Sequence, residues 1–139
     1  MDIEIGALYA HVTASSTDEE RAAIDRALDV DEAEIISSIL ALDENGVAVG
    51  HAAVRPFEDA LEVKKVFVAA PTRGLGISKL LMAETEVIAH EHGMTSLVLQ
   101  TGDLQSEAIA LYLRTGYEPI PVYGLYAALP NSLCFRKTL

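Results

Sequence analysis

Residues 73 to 78, Arg73-Gly74-Leu75-Gly76-Ile77-Ser78, constrain the fold of this chain more than any other stretch. They follow a β-branched run, Val66-Phe67-Val68, and open a helical run from Lys79 to His92, so they read as a strand-to-helix turn. Gly74 and Gly76, at alternate positions, let the backbone take φ > 0 and approach a ligand with no Cβ in the way. Successive N–H groups in such a turn, with the positive end of the next helix dipole, make a concavity suited to phosphate. The charges agree: residues 63 to 79 carry Lys64, Lys65, Arg73 and Lys79 and no acid, in a chain of formal net charge −11. The turn is an expected anion site.

What the loop lacks narrows the anion. A nucleotide P-loop needs Lys directly after its second Gly, and Gly76 is followed by Ile77. A dinucleotide fingerprint needs a third Gly where Lys79 stands, and it follows an N-terminal strand, whereas this turn lies mid-chain. The pattern that remains is Arg-x-x-Gly-x-Ser. It closely resembles the Gln/Arg-x-x-Gly-x-Gly/Ala pyrophosphate loop of the GNAT superfamily of acetyl-CoA-dependent N-acetyltransferases, with Ser78 a small residue in place of a small one. Further on, the segment from Gln105 to Tyr117, with Ala108, Tyr112 and Gly116, resembles that family's Asn-x-x-Ala-x-x-x-Tyr-x-x-x-Gly-Phe/Tyr motif, with Gln105 in place of Asn. The resemblance covers Val47 to Leu139 well and the first 46 residues loosely.

Local patterning gives the elements. Ile3 to Tyr9 reads as a strand, and Thr17 with Glu20 makes a capping-box start to a helix through Leu28. Strands at Ile35 to Leu42 and Val47 to Arg55 flank Asp43-Glu44-Asn45-Gly46, a hairpin signal. A turn over Pro56 to Asp59 leads to a strand from Leu61 to Val68. The helix after the phosphate turn is expected to bury Ile77, Leu80, Leu81, Val87 and Ile88 and to end at Gly93. Then come a strand at Ser96 to Gln100, a helix at Ser106 to Arg114 ended by Gly116, and strands at Tyr117 to Ile120 and Leu133 to Lys137. The resemblance implies a GNAT-like acyl-CoA N-acyltransferase fold, α/β (α+β), as a single domain over residues 1–139. Its central sheet is mixed, mostly antiparallel and flanked by helices, in the order β-α-β-β-β-α-β-α-β-β.

Composition excludes other classes. No apolar run approaches the roughly 18 to 20 residues of a membrane span, and Met1-Asp2-Ile3-Glu4 is acidic where a signal peptide is basic. A cytoplasmic protein is expected. The one cysteine, Cys134, allows no internal disulfide and reads as packing in a strand. Residues 1 to 34 hold ten acids against Arg21 and Arg26, which is −8 of the −11. Such a surface repels nucleic acid and membrane headgroups and favours an amine-bearing partner; it also serves plain solubility.

The chemistry implied by the resemblance is acetyl transfer from a thioester to an amine. An aliphatic amine is mostly protonated near neutral pH and must lose that proton to attack, and the departing thiolate is helped by an acid. The family places a tyrosine on the short helix as the acid, which is Tyr112, and a glutamate early in the strand before the phosphate loop as the base, which is Glu62. From the residues alone, Tyr112 between Leu111 and Leu113 reads as core, and Glu62 either points into a cleft or is solvated near an edge. His51, Glu58 and Asp59 are the rivals for the base. For CoA, the family implies that the backbone of Val66, Phe67 and Val68 meets the pantetheine amides. The N–H groups of Arg73, Gly74, Leu75, Gly76, Ile77 and Ser78 then meet the pyrophosphate, with the charges of Arg73 and Lys79 added. His90 and His92 flank Glu91 but face different ways, so no metal is expected.

Tyr123 and Tyr126, among Pro119, Pro121 and Pro130, form a rigid loop that borders the acceptor pocket, makes a dimer contact or covers the sheet edge. The sequence therefore points to an N-acetyltransferase that moves an acetyl group from acetyl-CoA to a primary amine by direct transfer, with a small cationic or amino-acid-like acceptor favoured. A peptide or protein acceptor, a non-catalytic CoA-binding module, and a homodimer through the C-terminal strands stay open.

Overall fold

The computed structural model describes residues 32–139, together with Glu19 and Ala22. Those two residues apart, the strand expected at Ile3 to Tyr9 and the helix expected at Thr17 to Leu28 lie outside the described residues. From Ser37 the elements are β1 (Ser37–Leu42), β2 (Ala48–Phe57), β3 (Ala60–Val68), α1 (Ile77–Glu91), β4 (Ser96–Gly102), α2 (Ser106–Arg114), β5 (Glu118–Ile120) and β6 (Ser132–Thr138). Short 3₁₀ turns occupy Glu32–Glu34, Ala70–Thr72 and Gly124–Ala128. The strands form one sheet in the order β1-β2-β3-β4-β6-β5, antiparallel at every neighbouring pair except β3–β4. The order from β1 onward and the mixed, mostly antiparallel sheet are as expected.

The β1–β2 hairpin closes through Asp43, whose Oδ1 accepts from the N–H of Asn45 at 2.8 Å and of Val47 at 2.9 Å, while Gly46 takes φ 79°. The next hairpin is tighter than expected. Pro56 lies inside β2, opposite Leu61, and only Glu58 and Asp59 make the turn. Proline is tolerated there because Val54 already faces the first residues of the β1 side, its carbonyl accepting from Ile36 N–H at 2.9 Å. Two residues on, the nitrogen of Pro56 points the same way, past the start of β1, where no ladder bond is lost.

α1 and α2 lie over one face of the sheet, and their inward side chains join Val54, Leu61, Val63, Leu97, Leu99 and Phe135 in the main core. The buried stripe of α1 is Leu81, Met82, Thr85, Ile88 and Ala89, a run at the 3.6-residue period. Leu80 and Val87, expected inside, are 68% and 46% exposed, because they sit one residue off that stripe, about 100° round the helix. Thr85 takes the buried place, its hydroxyl satisfied by the Met82 carbonyl at 2.6 Å. Both helices end on a left-handed glycine: Met94 N–H reaches Ala89 O at 2.9 Å past Gly93, and Tyr117 N–H reaches Tyr112 O at 3.0 Å past Gly116.

α1 is seated on β2 at Gly50. A Cβ added there would lie 3.0 Å from Ile77 Cγ2, 3.1 Å from Leu81 Cδ1 and 3.2 Å from Ala41 Cβ. Gly50→Val is therefore expected to cost about 1–3 kcal/mol and to tilt the first turn of α1. Thermal unfolding should show a Tm lower by roughly 4 °C or more. An unchanged melting curve would mean that α1 does not press on β2 here.

Candidate active site

The sheet carries a break in its middle. β3 and β4 run parallel but pair only at Leu61↔Leu97 and Glu62↔Val98, although β3 continues to Val68 and β4 to Gly102. Beyond that point the two strands diverge into a wedge, and backbone groups on its two sides have no strand to pair with across the gap. Unpaired extended backbone is a template for an added strand or any ligand rich in amides. Because the strands are parallel, the wedge opens at their C-terminal ends, where the chain leaves β3 for the glycine turn.

β3 also bulges inside the wedge. His51 pairs with Phe67, but two residues on Ala53 pairs with Lys64, so β3 carries an extra residue, and Lys65 takes φ 53°. The bulge exposes the Lys65 carbonyl, which accepts from His51 Nδ1 at 2.8 Å. His51, a rival for the base, is thus engaged as the donor that pins the bulge.

The glycine turn has the expected shape. Gly74 and Gly76 take φ 83° and 81°, yet a Cβ at either position would meet nothing within 4 Å. Their role is conformational, since only glycine adopts that backbone without strain. Thr72 Oγ1 donates to Ala69 O at 2.8 Å and Arg73 Nε to Val68 O at 3.3 Å, fastening the turn to the end of β3. Arg73, Gly74, Leu75, Gly76 and Lys79 are exposed, and the first turn of α1 carries no acid. Ile77 and Ser78 are half-buried where the helix begins.

At the apex of the wedge the two candidate catalytic residues stand on opposite faces of the sheet. Tyr112 of α2 is on the helix side, 6% exposed, in the core that contains Val63 and Leu99 from either side of the split. Its ring meets Tyr117 at 5.7 Å and Phe135 at 6.1 Å, and burial pushes its pKa up to about 12. Glu62 is on the other face and wholly buried. Its Oε1 accepts from Arg55 Nε at 2.7 Å and its Oε2 from the Tyr123 hydroxyl at 2.7 Å. Arg55 also lies 3.7 Å from Glu34. Burial works against the Arg55 charge, but the bond and charge of Glu62 outweigh it and raise the guanidinium pKa. Burial and then the Glu62 charge push Tyr123 well above the ordinary phenol range.

Aromatic rings roof this cluster. Phe57 and Tyr123 lie 4.6 Å apart and Tyr123 and Tyr126 5.4 Å apart, while Lys64 Nζ donates to the Tyr126 hydroxyl. Beside the bulge, a cavity of about 370 Å³ is lined by Ile35, Ile36, Ser37, Ser38, His51, Ala53 and Lys65.

Residues 5–117 match the family model described as the acetyltransferase (GNAT) family. The chain belongs to the GNAT family. It is 33% identical over 100 residues to an uncharacterized N-acetyltransferase of Schizosaccharomyces pombe, covering 70% of this chain and 61% of that protein. A Klebsiella pneumoniae protein solved as a candidate acyl-CoA N-acyltransferase superposes with TM-score 0.72 at 30% identity, over 88% of this chain and 92% of that one. A GNAT acetyltransferase from Elizabethkingia anophelis with acetyl-CoA bound shares the fold, with TM-score 0.67 at 18% identity over 88% of this chain and 85% of that one. The chain spans between 48% and 61% of the length of the first curated relatives it matches.

The other two rivals for the base lie away from the open end of the wedge in this GNAT chain. Glu58 and Asp59 are exposed in the β2–β3 turn, at the far end of β3. His92 bonds its own helix at Ile88 O, 2.9 Å away. Among the described residues, no group of three or more His, Cys, Asp or Glu side chains is placed to hold a metal. Cys134 is buried in β6, and burial raises its thiol pKa, away from the thiolate a nucleophile needs.

Arg55 and Lys64 stand in the candidate site although sequence reading did not single them out for it. A signal existed: a two-residue turn at Glu58 and Asp59 sets Arg55 opposite Glu62. The expected four-residue turn from Pro56 ended β2 at Arg55 and so hid that pair.

Proposed function

We propose that this chain transfers an acetyl group from acetyl-CoA directly to a primary amine, with the thioester held in the β3–β4 wedge. The observation that carries the reading is a parallel ladder that stops after two residue pairs, just before a turn with two left-handed glycines at a helix start. An extended pantetheine arm pairs along the β3 edge at Val66, Phe67 and Val68 as an added strand would, and at the Val68 carbonyl it takes the place of Arg73 Nε. The pyrophosphate meets the N–H groups of residues 73 to 78, and Arg73 and Lys79 add positive charge. The thioester then lies at the split, between Tyr112 on one face and Glu62 on the other.

The acceptor approaches from the Glu62 face, beside the cavity next to the bulge. Glu62 is enclosed, with both oxygens held, so the amine's proton reaches it through Tyr123: the phenol oxygen takes one proton as its own passes to Oε2. The neutral nitrogen attacks the carbonyl carbon, and as the C–S bond breaks its second proton passes to the departing sulfur, to which Tyr112 donates a hydrogen bond. Arg55 flanks Glu62 with positive charge, which favours an amino-acid-like acceptor, with a carboxylate beside its amine, over a polyamine. The single buried thiol fits a reducing, cytoplasmic setting. Among the described residues, no helix is long and apolar enough to cross a membrane.

Calorimetric titration with acetyl-CoA, CoA and ATP side by side tests the wedge. Both CoA species are expected to bind in the micromolar range and ATP far more weakly; absence of CoA binding would end this reading. Arg73→Glu is expected to weaken CoA binding roughly tenfold to a hundredfold, the loss of one or two charge-assisted contacts. Unchanged affinity in that variant would move the pyrophosphate away from the turn.

A further inference from the structure

One group in the wedge is itself an amine. Lys64 lies on β3 two residues past the last β3–β4 pair, and strand alternation sends its side chain to the same face as Glu62. Its Nζ bonds the Tyr126 hydroxyl and lies 4.6 Å from the centre of that ring. Tyr126 belongs to the aromatic roof, 5.4 Å from Tyr123, which bonds Glu62 of β3. It packs against Cys134 of β6, and Cys134 is paired with Gln100 of β4. Lys64 therefore starts from the unpaired part of β3 and reaches the roof that joins β3 to β6, which sets its amine beside the split, where a thioester held in the wedge would emerge on the Glu62 face. Among the described residues, no carboxylate lies within ion-pair distance of it. Burial is the largest influence on the amine and lowers its pKa; Glu62 opposes this and Arg55 adds to it. The free base needed for attack is more accessible here than on an exposed lysine.

We propose that Lys64 is itself an acetyl acceptor: with acetyl-CoA in the wedge and no external amine present, the chain acetylates its own Lys64. The lone pair of Nζ attacks the thioester carbonyl carbon, the C–N bond forms as the C–S bond breaks, and the proton shed by nitrogen passes to the departing sulfur. The products are Nε-acetyl-Lys64 and free CoA. The neutral amide removes a poorly compensated buried charge, and with it the cation–π contact to Tyr126. The inference rests on the wedge being the acetyl-CoA site.

The test is incubation of the purified full chain with acetyl-CoA alone, followed by intact-mass measurement and peptide mapping. One added acetyl group is expected on Lys64, formed more than about tenfold faster than on the exposed Lys65 and Lys79, because the bound donor is held beside it. With N-hydroxysuccinimidyl acetate, a donor with no CoA portion, the order should reverse, since Lys65 is exposed and Lys64 is enclosed. Lys64→Arg keeps a cation beside Tyr126 and should remove the modification. Calorimetry with CoA on the same samples separates the two failures. No CoA binding overturns the wedge and this proposal together. CoA binding with acetyl groups spread over exposed lysines, or absent from Lys64, overturns the proposal alone.

Discussion

Glu62→Ala is expected to destabilise the protein by about 3–5 kcal/mol, the cost of stranding one member of a buried ion pair. Glu62 is 0% exposed and Arg55 only 16%, and the 2.7 Å bond between them is the shorter of the two carboxylate contacts made by that guanidinium. Without the carboxylate, Arg55 keeps its charge with only the exposed Glu34 at 3.7 Å to offset it, and the Tyr123 hydroxyl loses its acceptor. A domain of this size has roughly 5–15 kcal/mol in hand, so a large share of its stability would go. The melting temperature should fall by more than about 10 °C. Glu62→Gln keeps the shape and one acceptor oxygen and should cost less, while Arg55→Met combined with Glu62→Leu should recover much of the loss, because neither charge is then left alone. A Glu62→Ala protein that melts within a degree or two of the parent would mean that this pair is not buried in solution.

Tyr112→Phe is expected to lower turnover roughly tenfold to a hundredfold while leaving acetyl-CoA affinity within about a factor of two. The phenol is held at a pKa of about 12, whereas a free thiol sits near 8.5. Full proton transfer to the thiolate would be uphill by roughly three and a half pK units, so in the proposed reaction the hydroxyl acts by hydrogen-bonding to the sulfur as charge develops there. An enclosed site makes that bond stronger than it would be in water. The ring contacts with Tyr117 and Phe135 survive the substitution, so stability near neutral pH should change by less than about 1 kcal/mol.

Alkaline unfolding gives a second readout for Tyr112. Its folded pKa is raised to about 12, above its ordinary value of 10.0. Its contribution is therefore complete below pH 10 and is lost as the pH rises from 10 towards 12, where the unfolded phenol ionises and the folded one does not. Tyr112→Phe should flatten that part of the curve. Unchanged turnover in the variant would mean that the thiolate departs without help from Tyr112, absence of turnover in the parent as well would favour a CoA-binding domain without catalysis, and a large loss of CoA affinity would make Tyr112 part of the binding surface instead.

The features legible in the sequence are those set by near neighbours along the chain. Gly74 and Gly76 announce a left-handed turn because no other residue takes that backbone cheaply, and the structure gives them φ 83° and 81°. The Asp43 turn, the glycine ends of both helices and the order of elements from β1 onward belong to the same class. Each depends on contacts within a few residues.

What the sequence could not decide depends on how elements meet. Periodicity announced α1 but offered overlapping apolar stripes, and the sheet below chose Met82, Thr85 and Ala89 over Leu80 and Val87. Glu62 read either as a cleft residue or as a solvated one. Its burial comes from Arg55 across a hairpin and from Tyr123, 61 residues away, and no local pattern encodes an encounter of that separation. By itself, then, the sequence determined the left-handed glycine turn and the sequence of strands and helices from β1 onward, because backbone conformation and periodicity are local. Only the tertiary structure decided that the sheet splits after Glu62, with Tyr112 on one face of the split and a sealed Arg55–Glu62–Tyr123 cluster on the other. Side-chain burial and pairing across the chain are properties of the packed whole.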